Sequence, residues 1–240
     1  MSVRERRRAA LIAAARDLFL ERGVDQVTID DIADRCSVTR RTVYRYFATR
    51  EQVALAVEVD ILQRWAETVR HRSESWSGTG AARLATAFTD LEQLVDEAAD
   101  EVRFTRIFDA RSTSPPTEPS RKPGTQPESD AGHLPESDDS HGADSGKADT
   151  AVATALDEAY RQAIHGLLAP LVAVLHLGQE DGTLRLAVSP ELTASTLTNA
   201  YLGLAQRVYG RGDQLAQEQQ IYPRDMLTEL ARLYLTALRH

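Results

Sequence analysis

Apolar residues recur at spacings of three and four along almost the whole chain, and the strict alternation of a half-buried strand is nearly absent. Such a chain can bury its apolar stripes only by packing helices on one another. Leu11, Ala15, Leu18 and Phe19 line one face of the first helix; Ser2, with Glu5 three residues on, forms a capping-box signal at its start, and Gly23 ends it. Thr28 and Asp31 repeat that signal before a short second helix, which turns Ile29, Ile32 and Ala33 inward. Thr39 caps a third helix after the turn "CSV". A long fourth pattern runs from about Thr49 through Leu55, Val59, Leu62 and Trp65.

After the break "SWSGTGAA", helical spacing resumes at about Ala81 and again from Glu101 to Arg111. It returns at about Asp149, with a kink expected at Pro170. "SPEL", residues 189–192, places a serine cap before a proline at the first helical position, and that helix is expected to stop at Gly210. A last helix starts near Pro223. The fold expected is all-α, with about nine helices: an N-terminal three-helix head and a C-terminal helical body.

Residues 112–148 interrupt this order. They hold six of the nine prolines and almost no large apolar side chain, so they cannot bury enough surface to offset ordering. The expected division is a head at 1–48, a body formed by 49–111 and 149–240, and a disordered acidic Pro/Ser-rich insertion at 112–148. A functional lid is the alternative for so long a loop.

Several classes are disfavoured. No run approaches the length of a membrane span, and Arg16 and Asp17 break the basic, apolar start, which reads as a helix rather than a signal peptide. One cysteine, Cys36, excludes an internal disulfide and fits a reducing cytosol. No His/Cys pair has zinc spacing, and no nucleophile–base pair or phosphate loop stands out, so neither cofactor nor enzymatic chemistry is expected.

Charge is uneven. Residues 1–50 contain eleven arginines and seven acids, a net +4, which leaves −12 on the rest of a chain whose formal total is −8. A basic head on an acidic body points to a polyanionic partner for the head, although arginine is also simply a good helix former. The start "RERRR" fits a nucleic-acid-touching arm and a solubilising cap equally.

The densest feature is "VTRRTVYRYF", residues 38–47. On a helix Val43 and Phe47 share one side, where Val38 can staple onto them. Arg41 and Arg45 point away, flanked by Arg40 with Tyr44 and by Thr42 with Tyr46. The exposed face is then arginine, threonine and tyrosine, which suits guanine edges and phosphates in a major groove. An ordinary solvated face, with Tyr44 or Tyr46 partly buried, is the alternative. Residues 28–47 supply the two short helices and tight turn of a helix-turn-helix.

The run "LFLERGVDQVTIDDIADRCSVTRRTVYRYFATREQVALAV", residues 18–57, resembles the TetR family of bacterial repressors. The rest of the chain matches only in layout. The resemblance implies a homodimer that binds a near-palindromic double-stranded DNA operator and leaves it when an unidentified small-molecule effector enters the body. It places Arg40, Arg41, Thr42, Arg45 and Tyr46 at base-reading positions and Thr28, Tyr44 and Arg50 at phosphate-holding ones. Two departures stand out: Ser37 occupies a turn position where glycine is frequent, and Asp30 and Asp31 would repel phosphate near Thr28.

In the body, Trp65, Phe88, Phe104, Phe108, Tyr160 and Tyr201 are candidates to line an effector pocket, or are simply core. The last two helices are apolar on more than one side. Leu197, Leu202, Leu227, Leu230, Tyr234 and Leu238 are therefore candidates for a dimer interface, while an internal helix pair of a monomer fits the same pattern.

Overall fold

A computed structural model describes residues 1–112 and 142–239, with side chains described outside 106–150. The head consists of α1 (Val3–Arg22), a single 3-10 turn (Val24–Gln26), α2 (Ile29–Arg35) and α3 (Arg40–Tyr44). The body consists of α4 (Arg50–Ser73), α5 (Gly80–Glu97), α6 (Ala99–Ser112), α7 (Gly142–Glu180), α8 (Pro190–Gln219) and α9 (Asp225–Leu238). Extended pairing among the described residues is limited to one bridge, Leu184 with Arg239.

The starts follow from local chemistry. The Ser2 hydroxyl accepts from the Glu5 amide while the Glu5 carboxylate takes the Ser2 amide, and Thr28 with Asp31 does the same for α2. Thr39, Thr49, Thr79 and Ser189 each accept an amide from the third residue on. These bonds satisfy amides that the first helical turn leaves without partners. The helical start of α1 means that "RERRR" is part of a rigid element and not a free arm.

Two boundaries differ from expectation. The helix expected to stop at Gly210 breaks one residue later, where Arg211 leaves helical geometry (φ −139°, ψ 21°), and a second helical stretch carrying the buried Leu215 continues to Gln219. Helix α7 already begins at Gly142, inside the segment assigned to the insertion, while residues 113–141 of that segment lie outside the described residues. Pro170 sits within α7 without ending it.

Helix α4 joins head to body. Val53, Val57, Ile61, Leu62 and Trp65 are buried along it, between α1 on one side and α7 on the other. The start of α5 is clamped on the α7–α8 turn. The Gly80 amide donates to Asp181 Oδ2 (2.7 Å) and the Ala81 amide to Thr183 Oγ1 (3.0 Å). A β-carbon at Gly80 would lie 2.2 Å from Gly178 Cα, so this approach requires glycine. Hydrogen bonds, that to the Thr183 hydroxyl foremost, hold the Asp181 carboxyl below its ordinary range.

Candidate nucleic-acid interface and core cavity

Helix α3 is held from beneath by Val43 and Phe47, both essentially inaccessible to solvent. Arg8 of α1 lies over the Phe47 ring, 5.3 Å from its centroid, and burial lowers the Arg8 pKa. The turn before α3 puts Ser37 at φ 53°, the left-handed conformation that glycine adopts without strain. The Val38 amide closes the turn on the Ala33 carbonyl (2.9 Å).

The outward face separates into engaged and free groups. Arg40 donates to Asp30 (3.1 Å) and to the Tyr44 hydroxyl (3.1 Å), with its guanidinium 5.4 Å from the Tyr44 ring centroid. Thr42 is half-buried and shares a hydroxyl contact with the capping Thr39 (3.0 Å). The Arg41 side chain is exposed and makes no ion pair or hydrogen bond among the described residues. Arg45 is exposed and lies over the Tyr46 ring at 5.6 Å. Tyr44 is 41% exposed.

Three expectations change. Tyr46 is only 8% exposed and belongs to the head's core. Its ring packs in that core with the Arg45 guanidinium over it, so Tyr46 supports α3 and its ring is not exposed on the outer face. Thr28 donates its hydroxyl to Asp31 (2.5 Å) and is committed to the cap, although it remains exposed. Asp31 is held below the ordinary carboxyl range, first by that hydroxyl. Arg50 spans the gap to the 3-10 turn, donating to the Val24 and Asp25 carbonyls (3.3 Å each), so it braces the start of α4.

In the body, α4, α5, α7 and α8 enclose a narrow cavity of about 60 Å³. Trp65, Phe88 and Tyr201 line it. Phe104 does not: it stacks on Phe19 of α1, centroids 5.8 Å apart, and serves the seam between α6 and the head. Tyr160 packs on the core elsewhere, and the Phe108 side chain lies outside those described. Trp76 is a wall residue that periodicity missed. It sits in the break before α5 and donates its indole N–H to Asp90 Oδ2 (2.6 Å). A tryptophan in a Ser/Gly-rich break was the available signal, since so large a ring is buried wherever a neighbour allows.

A line of polar contacts leaves this cavity towards the head. Trp65 Nε1 donates to Glu101 Oε2 (2.9 Å), and Arg64 Nη2 donates to Glu101 Oε1 (2.8 Å). Arg64 Nε reaches Asp60 Oδ2 (3.2 Å), which also faces Arg16 of α1 (3.6 Å).

The proposed dimer residues divide. Leu197 and Leu227 are 3% and 1% exposed within one protomer, because α8 and α9 turn them onto α5 and the core; they are not free to meet a second chain. Leu202, Leu230, Tyr234 and Leu238 are half-buried, and Leu202 lines the cavity. The large apolar side chains exposed on these helices, among the described residues, are Leu192 (54%) and Leu233 (51%). Among the described residues no group of three His, Cys, Asp or Glu converges on a metal-sized site, and no helix is long and apolar enough to cross a membrane.

Residues 11–57 match the family described as bacterial regulatory proteins, tetR family. The HTH-type transcriptional repressor Rv3405c of Mycobacterium tuberculosis is 46% identical over 54 residues, 22% of this chain and 29% of that protein. The chain spans only about a quarter of the length of the curated relatives it matches. Over the whole chain the likeness is one of fold. A TetR/AcrR-family regulator from Thermobifida fusca superposes with a TM-score of 0.56 at 19% identity, covering 98% of this chain and 99% of that one. FadR from Bacillus subtilis, in complex with stearoyl-CoA, gives 0.56 at 14% identity, covering 95% and 97%.

Proposed function

We propose, from the premise that the chain belongs to the tetR family of bacterial regulatory proteins through its head, that it is a sequence-specific transcriptional regulator. It binds double-stranded DNA in the cytosol as a homodimeric repressor and leaves a near-palindromic operator when a small molecule enters the core cavity. The observation that carries this reading is the unpaired, exposed Arg41 beside Arg45 on a short helix anchored through Val43 and Phe47. Arginine in that setting reaches guanine O6 and N7 together, and its helix fits the major groove. Leu192 and Leu233 on α8 and α9 support a second copy as the partner of the body. No catalytic step belongs to this reading.

Selection from random duplex DNA tests it. Enrichment of two inverted half-sites about one helical turn, or a small multiple, apart is expected. Binding without sequence preference would reduce the head to a charge patch.

Arg41→Ala is expected to cost about 1–3 kcal/mol at particular base pairs, as is Arg45→Ala. Arg40→Ala costs less, because Asp30 already holds that guanidinium. Arg50→Ala weakens all sequences alike, since it loosens the brace between the start of α4 and the 3-10 turn. Competition assays on single-base operator variants separate these patterns; equal loss on every sequence for Arg41→Ala would remove it from base readout.

The contacts from Trp65 through Glu101, Arg64 and Asp60 to Arg16 supply a route between cavity and head. Coupling is reciprocal, so operator binding should alter the cavity wall. With Trp76→Phe leaving Trp65 as the one tryptophan of the chain's two, operator addition is expected to shift its emission. Glu101→Ala in that background should abolish the shift. A shift retained in full would place the coupling elsewhere.

An acyl-CoA, the ligand of Bacillus subtilis FadR, would need cations for its phosphates. None of the side chains lining this cavity is cationic, which turns the search towards other molecules.

A further inference from the structure

We propose that the groove between the first turns of α1 and the α2–α3 turn grips one DNA backbone phosphate beside each half-site. Arg6 and Arg7 supply the cations, and the Ser37 hydroxyl a further donor. The inference rests on the reading of the head as a DNA-binding unit.

Val3, Arg6, Arg7, Ala10 and Leu11 stand three and four apart, so they share one face of α1, and that face lines a groove of about 370 Å³ opposite residues 36–38. The Cys36 thiol donates to the Ala10 carbonyl (3.6 Å) and holds the turn against the helix. Among the described residues no acidic side chain lines the groove. Glu5, beside it in the chain, is engaged by the Ser2 amide (2.7 Å). The side chains of Arg6 and Arg7 are exposed and make no ion pair or hydrogen bond among the described residues. Arginines of the body stand in contrast: Arg64, Arg70 and Arg72 are matched to Glu101, Glu67 and Glu97.

Two features work against stability at this place and point to a ligand. Arg4, Arg6, Arg7 and Arg8 crowd the first two turns of α1, where the helix's own positive end favours acids. Ser37 sits at φ 53°, which glycine adopts freely, and its exposed hydroxyl has no partner among the described residues. Serine in place of glycine keeps a donor at the edge of the groove, in a backbone setting that accumulates at binding sites. A phosphate diester supplies what these groups lack, a fixed anion with oxygens for several donors. Val3, 67% exposed in the lining, suits the apolar edge of the neighbouring deoxyribose. Position agrees as well. Ser37 precedes Arg41 by four residues, so the groove opens beside the N-terminal end of α3. A helix laid in a major groove about 12 Å wide has a backbone strand along each flank.

Fluorescence anisotropy across a salt series tests this on the full-length protein with two probes, the sequence enriched from random duplex DNA and a scrambled duplex of the same length. Arg6→Gln and Arg7→Gln are each expected to weaken both probes by a similar factor. The double variant should flatten the dependence of log Kd on log salt by about 1 per head. Glutamine is as good a helix former as arginine, so the melting midpoints should match the wild type. Arg4→Gln removes the same charge from a position outside the groove lining and should leave the slope in place. Ser37→Gly should weaken DNA binding while its midpoint holds or rises, because glycine relieves the positive φ. Neutral methylphosphonates placed one at a time around the half-site should reveal a position that weakens the wild type and not the double variant. An unchanged slope in the double variant, equal flattening by Arg4→Gln, undiminished binding by Ser37→Gly, or a midpoint that falls with affinity would each overturn the groove contact. Sequence preference kept with an unchanged slope removes the groove contact alone. A flattened slope on two probes bound equally removes the sequence-specific reading alone, and no binding to either duplex at low salt removes both.

Discussion

Replacing Phe47 with alanine is expected to abolish binding to every DNA sequence while the helical body stays folded. Phe47 is fully buried where α3 meets α1, directly beneath the Arg8 guanidinium. Truncating a buried phenylalanine costs about 3–5 kcal/mol, part in lost transfer energy and part in the cavity left behind. The head is a small three-helix unit, and α3 is five residues long, too short to be helical without its anchor. The loss should therefore appear as melting of α3 and its turn. Denaturant titration followed by circular dichroism reports the stability change. The fluorescence of Trp65 and Trp76, both in the body, should show its packing retained below the main transition. Tyr44→Phe, at an exposed position, is the comparison and should move stability by less than about 0.5 kcal/mol. An unchanged midpoint for Phe47→Ala would mean that α3 is held by something other than this ring.

Gly80→Ala is expected to produce the second large effect, at the opposite end of the molecule. Its β-carbon would lie 2.2 Å from Gly178 Cα and 2.3 Å from Gly178 N, and backbone cannot swing aside as a side chain does. Either α5 moves away from α7, or the substitution is overpacked at about 1–3 kcal/mol. Movement would also break the amide bonds from Gly80 and Ala81 to Asp181 and Thr183, at about 1 kcal/mol each. Because Trp76 precedes this contact and α5 forms one wall of the cavity, the emission of Trp76 should change along with stability. Gly203→Ala, where an added β-carbon meets nothing within 4 Å, should be neutral or slightly stabilising, since alanine favours the helix. Equal melting midpoints for Gly80→Ala and wild type would show that α5 docks more loosely than this geometry requires.

Much of the head was legible because its signals are local. Caps and the Val43/Phe47 spacing each depend on residues within one or two turns, and the structure reproduces them. The exposed arginines were legible for the same reason. Tyr46 was not: helical phase puts it beside Thr42 on the outer side, yet its ring lies in the head's core with the Arg45 guanidinium over it. Thr28 and Arg50 were read as phosphate contacts through resemblance, while their own hydrogen bonds tie them to the protein.

In the body, periodicity identified aromatic positions without telling one neighbour from another. Phe88 and Phe104 are equivalent in the sequence, yet one faces the cavity and the other stacks on Phe19 of α1. Leu227 and Leu233 both lie on an apolar helix, yet one is buried in the protomer and the other is exposed. Helix phase determines which side chains share a face. Which element covers that face depends on crossings between helices far apart in the chain, such as α5 on α7 through Gly80 and Gly178. The sequence by itself therefore determined the all-helical class, the capped helix starts and the arginine-rich outer face of α3, because those energies are local. The tertiary structure decided the cavity's walls, the burial of Tyr46, Leu197 and Leu227, and the polar path from Trp65 to Arg16, because those depend on long-range packing.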